Sequence, residues 1–122
     1  MKECVSILSR EFWLKGEKQT PCCCVFIGFN DGSWEKALYN DESYTWELNS
    51  SDEIPNENHP LGDDEFSYPY KQYLPAELET AGTLSERQLV TNNELVVVFS
   101  SGLKLILSYN ANTESEYIEI NT

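Results

Sequence analysis

The chain has 122 residues, with 21 Asp and Glu against 8 Lys and Arg, which gives a formal net charge of −13. This length fits one domain with its own core, so residues 1–122 are expected to form a single domain. A charge of this sign disfavours nucleic acid and anionic lipid as partners and favours basic proteins. The longest apolar run, Cys22–Phe29, has 8 residues, whereas a membrane-spanning helix takes about 20.

The negative charge is concentrated in residues 41–79, which we call the acidic segment. It holds 11 of the 21 carboxylates and a single basic side chain, Lys71. Residues 1–40 carry five charges of each sign, and residues 80–122 carry two basic and five acidic side chains. The acidic segment is therefore a localised negative field rather than part of an even solubilising coat.

The first stretch, residues 1–15, is predicted to form a helix. Its apolar side chains recur near helical spacing, and Gly16 could end the helix. A strand stays open as an alternative, because part of the same stretch alternates. The helical set is Cys4, Val5, Leu8 and Phe12, and the alternating set is Val5, Ile7 and Trp13.

An apolar, β-rich run after Pro21 predicts a central strand, and the same pattern returns seventy residues later. Each copy is predicted to be a three-stranded meander, and the two meanders are expected to lie in one sheet. A duplication and the ordinary preferences of hairpins explain the match equally well. The matches are Phe29-x-x-Gly32 with Phe99-x-x-Gly102, Tyr39-Asn40 with Tyr109-Asn110 and, after a two-residue insertion, Trp46–Asn49 with Ile118–Asn121.

The connection between the copies begins with a long polar stretch, residues 49–73, which holds three prolines and few aliphatic residues. Two short helices are predicted after it, Pro75–Thr80, where proline takes an early helical position, and Ser85–Val90. The predicted fold class is therefore α+β. It combines an antiparallel β-sheet of about six strands, in two meander copies, with one or two short helices packed on it.

Carboxylates and aromatic residues interleave in residues 51–73 of this connection, and we predict a protein-binding surface there. Carboxylates steer the encounter with a basic surface, and tyrosines add rigid contact area at low entropic cost. The alternative is a solvated loop whose tyrosines pack back onto the sheet. The predicted binding residues are Asp52, Glu53, Glu57, Asp63, Asp64, Glu65, Tyr68, Tyr70 and Tyr73.

Neither a metal site nor a catalytic site is expected. Three of the four cysteines are consecutive, Cys22–Cys24, so they lack the spacing that brings two sulfurs onto one zinc ion. Asp63, Asp64 and Glu65 lack the alternating spacing of a calcium loop. His59 with a cysteine could form a nucleophilic dyad, but no orienting third residue is indicated. We therefore expect no cofactor and no enzymatic activity.

The cysteines and the N-terminal stretch favour a reducing compartment. Unpaired cysteines serve as small buried apolar side chains in reducing surroundings. Arg10 and Glu11 interrupt the N-terminal apolar stretch, which therefore does not fit the core of a secretion signal. A cytoplasmic protein is the expectation.

The small acidic chain, its Tyr-rich central stretch and its C-terminal sequence FSSGLKLILSYNANTESEYIEI point to one resemblance. The chain resembles small acidic bacterial toxin-immunity proteins of the contact-dependent inhibition or polymorphic-toxin type. The resemblance implies tight binding and neutralisation of a cognate basic toxin domain, commonly a nuclease. Because immunity families differ in fold, it implies a role and not a site.

Two other classes of function stay open. A DNA-mimic inhibitor would use its carboxylates to imitate a phosphate track, although prolines at 55, 60 and 69 disfavour a regular acidic stripe. A non-catalytic ligand-binding or regulatory β-domain would need no toxin.

Overall fold

The computed structural model describes residues 2–40, 42–55, 61–62 and 65–121, without the side chains of 20–23 and 61–62. The described residues form eleven β-strands and no helix. The strands are β1 (Cys4–Leu14), β2 (Glu17–Phe29), β3 (Trp34–Asn40), β4 (Thr45–Ser51), β5 (Leu61–Gly62), β6 (Phe66–Tyr68), β7 (Tyr70–Gln72), β8 (Leu84–Thr91), β9 (Glu94–Phe99), β10 (Lys104–Asn110) and β11 (Ser115–Asn121).

The strands form two antiparallel sheets. The first sheet has the order β4-β3-β2-β1-β6-β5, with β7 also paired to β1, and the second has the order β11-β10-β9-β8. β1 is the junction of the first sheet, because β2 lies along one of its edges while β7 and β6 share the other. The fold is therefore all-β, and no helix within the described ranges offers the length and apolar character needed to cross a membrane.

The predicted α+β class is wrong, and each predicted helix has its own explanation. Residues 4–14 form β1, whose two faces are both covered, so apolar residues occupy both and imitate helical spacing. Ser85–Val90 lies within β8, where pairing with β9 overrides a weak helical preference. Pro75–Thr80 contains one turn, in which the Leu78 N–H donates to the Pro75 carbonyl at 2.9 Å.

The repeat predicted from sequence is present and is more regular than expected. β2, β3 and β4 correspond to β9, β10 and β11, with equivalent residues 70 positions apart and the same four-residue turn in each copy. The predicted two-residue insertion is therefore wrong, and Trp46 corresponds to Glu116. The residues that flank the turn are Asn40 and Thr45 in one copy and Asn110 and Ser115 in the other.

A fourth strand belongs to the repeat, and the sequence pattern did not reveal it. Cys4 of β1 pairs with Phe29 just as Leu84 of β8 pairs with Phe99, and a register shift follows each pair. The β1–β2 hairpin is ten residues longer than the β8–β9 hairpin, so equivalent residues of β1 and β8 are 80 positions apart. A search at one fixed period could not detect this change of spacing.

The two copies lie in different sheets that pack face to face, so the expectation of a single sheet is wrong. One apolar face of each copy points inward, and each is buried by the other copy. Tyr39 and its equivalent Tyr109 stack with ring centroids 3.8 Å apart, which places a pseudo-two-fold axis between them. Phe29 and Phe99 are both buried in this core, as predicted from their place before the Gly turns.

We expect Phe29→Ala and Phe99→Ala each to lower the free energy of unfolding by roughly 3–5 kcal/mol, because each removes a buried ring at the same place in its copy. Urea denaturation measures the effect. Ile54, which is 70% exposed, provides the control, and Ile54→Ala should change stability by less than about 0.5 kcal/mol. A cost confined to one of the two phenylalanines would contradict the equivalence of the copies.

Candidate functional site

The predicted binding residues fall into three groups in the structure. Glu57, Asp63 and Asp64 lie outside the described residues. Asp52 and Glu65 are exposed, and the Glu65 carboxylate lies 3.9 Å from the Lys15 ammonium. The remaining residues contact the first sheet.

Glu53 is held by cations of the protein itself. Its two carboxylate oxygens bind the guanidinium of Arg10, on β1, and the ammonium of Lys36, on β3, the latter at 3.1 Å. Both cations lie over the ring of Phe26, on β2 between them, at 5.2 and 5.5 Å from its centroid. Glu53 thus closes a charged cover over a fully buried ring on the outer face of the first sheet.

The pKa values of this network follow from two opposed effects. Partial burial works to raise the pKa of Glu53, but the hydrogen bonds from Arg10 and Lys36 outweigh it and hold that pKa below its ordinary value. Burial works to lower the pKa of Arg10, but its hydrogen bonds to Tyr70 and Glu53 raise that pKa above its ordinary value. Both groups are therefore charged at neutral pH, and Glu53 contributes to the fold as an ion.

The three predicted tyrosines contact the protein's own side chains, and Tyr68 on β6 and Tyr70 on β7 belong to the first sheet rather than to a solvated loop. The three do not share one set of contacts. Tyr68 stacks on Phe12 at 5.3 Å. The Tyr70 hydroxyl accepts a hydrogen bond from Arg10 at 3.0 Å on the outer face of the first sheet. Tyr73 instead packs against the core between the sheets.

A different acidic and aromatic surface lies where the two copies meet, at the end of the sandwich that carries the β3–β4 and β10–β11 turns. We call it the dyad cleft, because it contains the stacked tyrosines on the pseudo-two-fold axis. Its volume is about 480 Å³. The residues lining it are Tyr39, Tyr44, Tyr109, Glu114 and Glu116.

The turns on either side of the dyad cleft are equivalent and well braced. Tyr44 and Glu114 occupy the same turn position, with left-handed φ values of 57° and 53°. In each turn an Asn side-chain carbonyl accepts a backbone N–H two residues later at 2.9 Å. This bracing by Asn40 and Asn110 fixes where the turn side chains lie.

Asn93 braces the floor of the dyad cleft from the opposite sheet. Its side-chain oxygen accepts the Tyr39 hydroxyl at 3.3 Å, and its backbone carbonyl accepts the Trp46 indole N–H at 3.0 Å. The Trp46 and Tyr39 rings also meet edge to face at 5.8 Å. The aromatic rings at the floor of the dyad cleft are thus held in place by contacts within the protein itself.

The dyad cleft is asymmetric in a way that suits a cation. The first copy contributes Tyr44, which is 68% exposed, and the second contributes the carboxylates of Glu114 and Glu116. A Lys or Arg side chain entering it would meet an aromatic surface on one side and carboxylates on the other. A cationic side chain gains from both surfaces.

Sequence reasoning missed this site because it weighed carboxylates by their density along the chain. Glu114 and Glu116 lie in residues 80–122, where charge is sparse. The available signal was the Tyr39–Asn40 and Tyr109–Asn110 match, which placed two equivalent turns in the two copies. The two turns form one surface only because the copies pack face to face, and the sequence match does not reveal that packing.

A second cleft, of about 290 Å³, lies at the Gly-turn end of the sandwich. The buried carboxylate of Glu35, on β3, binds the guanidinium of Arg87, on β8, at 2.7 Å across the two sheets. The rest of the lining consists of the apolar side chains of Phe29 and Leu84, the Lys2 side chain with its ammonium group, and Thr83.

Metal-ligating side chains do not gather in the described part of the chain: no three His, Cys, Asp or Glu residues are placed there to hold an ion. Cys4 and Cys24 are buried thiols without a disulfide, and burial raises the pKa of Cys4 to about 11. His59 and the side chains of Cys22 and Cys23 lie outside the described set.

Comparisons with protein-family models, with curated proteins and with solved structures found no match to this chain.

We expect Glu53→Gln to destabilise the protein at neutral pH and to lose that effect in acid. A carboxylate whose folded pKa is depressed contributes stability that is present above its unfolded pKa and is lost as the pH falls through the folded pKa. The urea midpoints of parent and variant should differ at about pH 7 and converge toward about pH 3. Asp52→Asn, at the exposed neighbour, is the control and should match the parent at both. A constant difference across this range would contradict an ionic role.

Proposed function

We propose that this protein is an immunity protein, which binds a cognate basic toxin domain, commonly a nuclease, and neutralises it without catalysis. The dyad cleft takes a Lys or Arg side chain of the toxin. The observation that supports this best is the convergence of two carboxylates and three tyrosines in one open cleft.

The charge distribution supports the same role from a longer range. A net charge of −13 attracts a basic partner before contact and raises the association rate, an effect that salt screens beyond about 8 Å at physiological ionic strength. The dyad cleft then supplies the short-range contact. Asp52 and Glu65, both exposed, extend the negative surface on the first sheet.

Neutralisation follows from occupying the cations that a nuclease uses to hold its substrate. A nuclease binds phosphates mainly through Lys and Arg. An immunity protein that pairs with one such side chain, and covers its surroundings with a rigid aromatic surface, excludes nucleic acid from that place. The braced turns keep the entropy cost of this binding low.

The double variant Glu114→Gln with Glu116→Gln is expected to weaken toxin binding on the order of 10–100-fold, because a hydrogen bond to a charged group contributes about 1.5–3 kcal/mol. Calorimetry with the C-terminal domain of the neighbouring gene's product, taken as the candidate toxin, measures the affinity. Glu17→Gln with Glu119→Gln is the matched control, because it also removes two negative charges, both from exposed residues outside the dyad cleft. Equal losses for both variants would mean that only overall charge matters.

Growth rescue against the same toxin tests the role itself. The parent should protect cells, and Tyr44→Ala should protect less, mainly through faster dissociation of the complex. Failure of the parent to rescue would overturn the proposed function.

The acidic segment is tested separately, by replacing Asp63, Asp64 and Glu65 together with Lys. If this segment steers the toxin, association should slow and protection should fall while the thermal melt stays unchanged. A triple variant that protects as well as the parent would remove the acidic segment from the interface and leave the dyad cleft.

One observation favours a second candidate, a ligand-binding regulatory β-domain. The cleft at the Gly-turn end combines the apolar side chains of Phe29 and Leu84 with the cation Lys2, while Arg87 is paired with Glu35. Lys2 beside an apolar surface suits a small amphipathic carboxylate. A rise in melting temperature with such compounds, abolished by Lys2→Ala, would support this candidate.

A further inference from the structure

The two copies differ at the outer edge of their first strand, which is β1 in one copy and β8 in the other. The outer edge of β1, away from β2, is occupied by β7, which pairs antiparallel with Leu8–Arg10. The backbone groups of that edge are satisfied: the Tyr73 N–H donates to the Ile7 carbonyl at 2.7 Å, and the Glu11 N–H donates to the Pro69 carbonyl at 2.8 Å. The chain thus completes this edge with its own segment.

The equivalent strand, β8, has no such cover within the part of the chain that the structure describes. β8 pairs only with β9 there, and residues 85–91 are all exposed. Leu89 and Val90, which correspond to the covered part of β1, are 47% and 48% exposed. A long uncovered edge with apolar side chains is a template for a further strand.

The repeat also indicates which backbone groups face outward. Ile7 directs its carbonyl and its N–H to the β7 side, where the N–H meets the Gln72 side chain at 2.7 Å. Ile7 pairs with Ile27 as Arg87 pairs with Val97, so Arg87 is its equivalent. The backbone N–H and C=O groups of successive residues point to opposite edges of a strand. Those of Arg87 and Leu89 therefore point away from β9, and those of Gln88 point toward β9.

We propose that two copies of this protein associate through β8. The two β8 strands pair antiparallel about a two-fold axis at Gln88 and join the two four-stranded sheets into one sheet of eight strands. This surface is distinct from the dyad cleft, and the proposal does not depend on the proposed function.

The β8 strand is suited to pair with itself in this register. With the axis at Gln88, Arg87 of one copy lies opposite Leu89 of the other. The backbone groups of both residues point away from β9, so the two residues can exchange backbone hydrogen bonds. Glu86 then lies opposite Val90, and Gln88 lies opposite Gln88. No charge faces a like charge. The axis at Gln88 lies within Glu86–Leu89, the regular part of β8 between its two register shifts.

The charge distribution permits this association despite the net charge of the chain. Residues 80–122, which form the second sheet, carry two basic and five acidic side chains, whereas the acidic segment carries one basic and eleven acidic side chains. Most described carboxylates of the acidic segment lie on or beside strands of the first sheet, and the other two, Glu77 and Glu79, lie in the connection to β8. Pairing through β8 therefore joins the less charged sheets and leaves the more charged ones apart.

The sharpest test is a single cysteine on the proposed axis. Gln88 is a non-hydrogen-bonded position, where directly opposite Cα atoms are about 4.5 Å apart, within the roughly 4.4–6.8 Å that a disulfide spans. Gln88→Cys should form a covalent dimer under mild oxidation, which non-reducing electrophoresis detects. Glu86→Cys is the matched control on the same strand. Its two sulfurs would be separated by four strand positions, about 13 Å, and should not link.

Sedimentation of the parent is expected to give twice the monomer mass of 14.0 kDa. Leu89→Pro removes an outward N–H without removing a bond to β9, so it should yield a monomer whose thermal melt, followed by circular dichroism, shows the same folded strands. A monomeric parent would overturn the proposal. So would a dimer that resists Leu89→Pro, or equal cross-linking of the two cysteine variants, because each would place the contact elsewhere.

Discussion

The structure depends on one constraint: each copy of the four-stranded repeat has an apolar inner face that it cannot bury by itself. A four-stranded meander with one apolar face is stable only when that face is covered. Here each copy covers the other, and the core includes equivalent side chains from the two sheets, such as Phe29 with Phe99 and Ile27 with Val97. The stacked Tyr39 and Tyr109 mark the centre of this arrangement, and the dyad cleft exists because the two turns beside them are brought together.

The departures from symmetry give the molecule its distinct surfaces. The longer β1–β2 hairpin provides the extra length of β1 with which β6 pairs, at Trp13 and Leu14. Replacement of Trp46 in the first copy by Glu116 in the second makes one wall of the dyad cleft acidic. The covered edge of β1 and the uncovered edge of β8 are a third departure. Each is a local change on a shared framework.

The parts of the fold that could be predicted from sequence were those determined by local chemistry. The Phe-x-x-Gly turns were found because a left-handed turn position requires glycine, and Gly32 and Gly102 have φ values of 87° and 95°. β1 was mistaken for a helix because its two covered faces remove the alternation that identifies a strand. The pairing of two sheets, which no local pattern encodes, decided the architecture. Likewise Glu53 looked like surface charge, since Arg10 and Lys36 lie 43 and 17 residues away along the chain.

The meander order of the strands also has a consequence for how the chain folds. Within each copy every strand pairs with the next one in sequence, so loop closure costs little entropy and these hairpins can form early. The bonds that join β7 to β1 instead close a gap of 65 residues, and the docking of the two sheets is similarly distant in sequence. We therefore expect the docking of the two sheets to be slower than hairpin formation, and the Tyr39–Tyr109 contact reports on its completion.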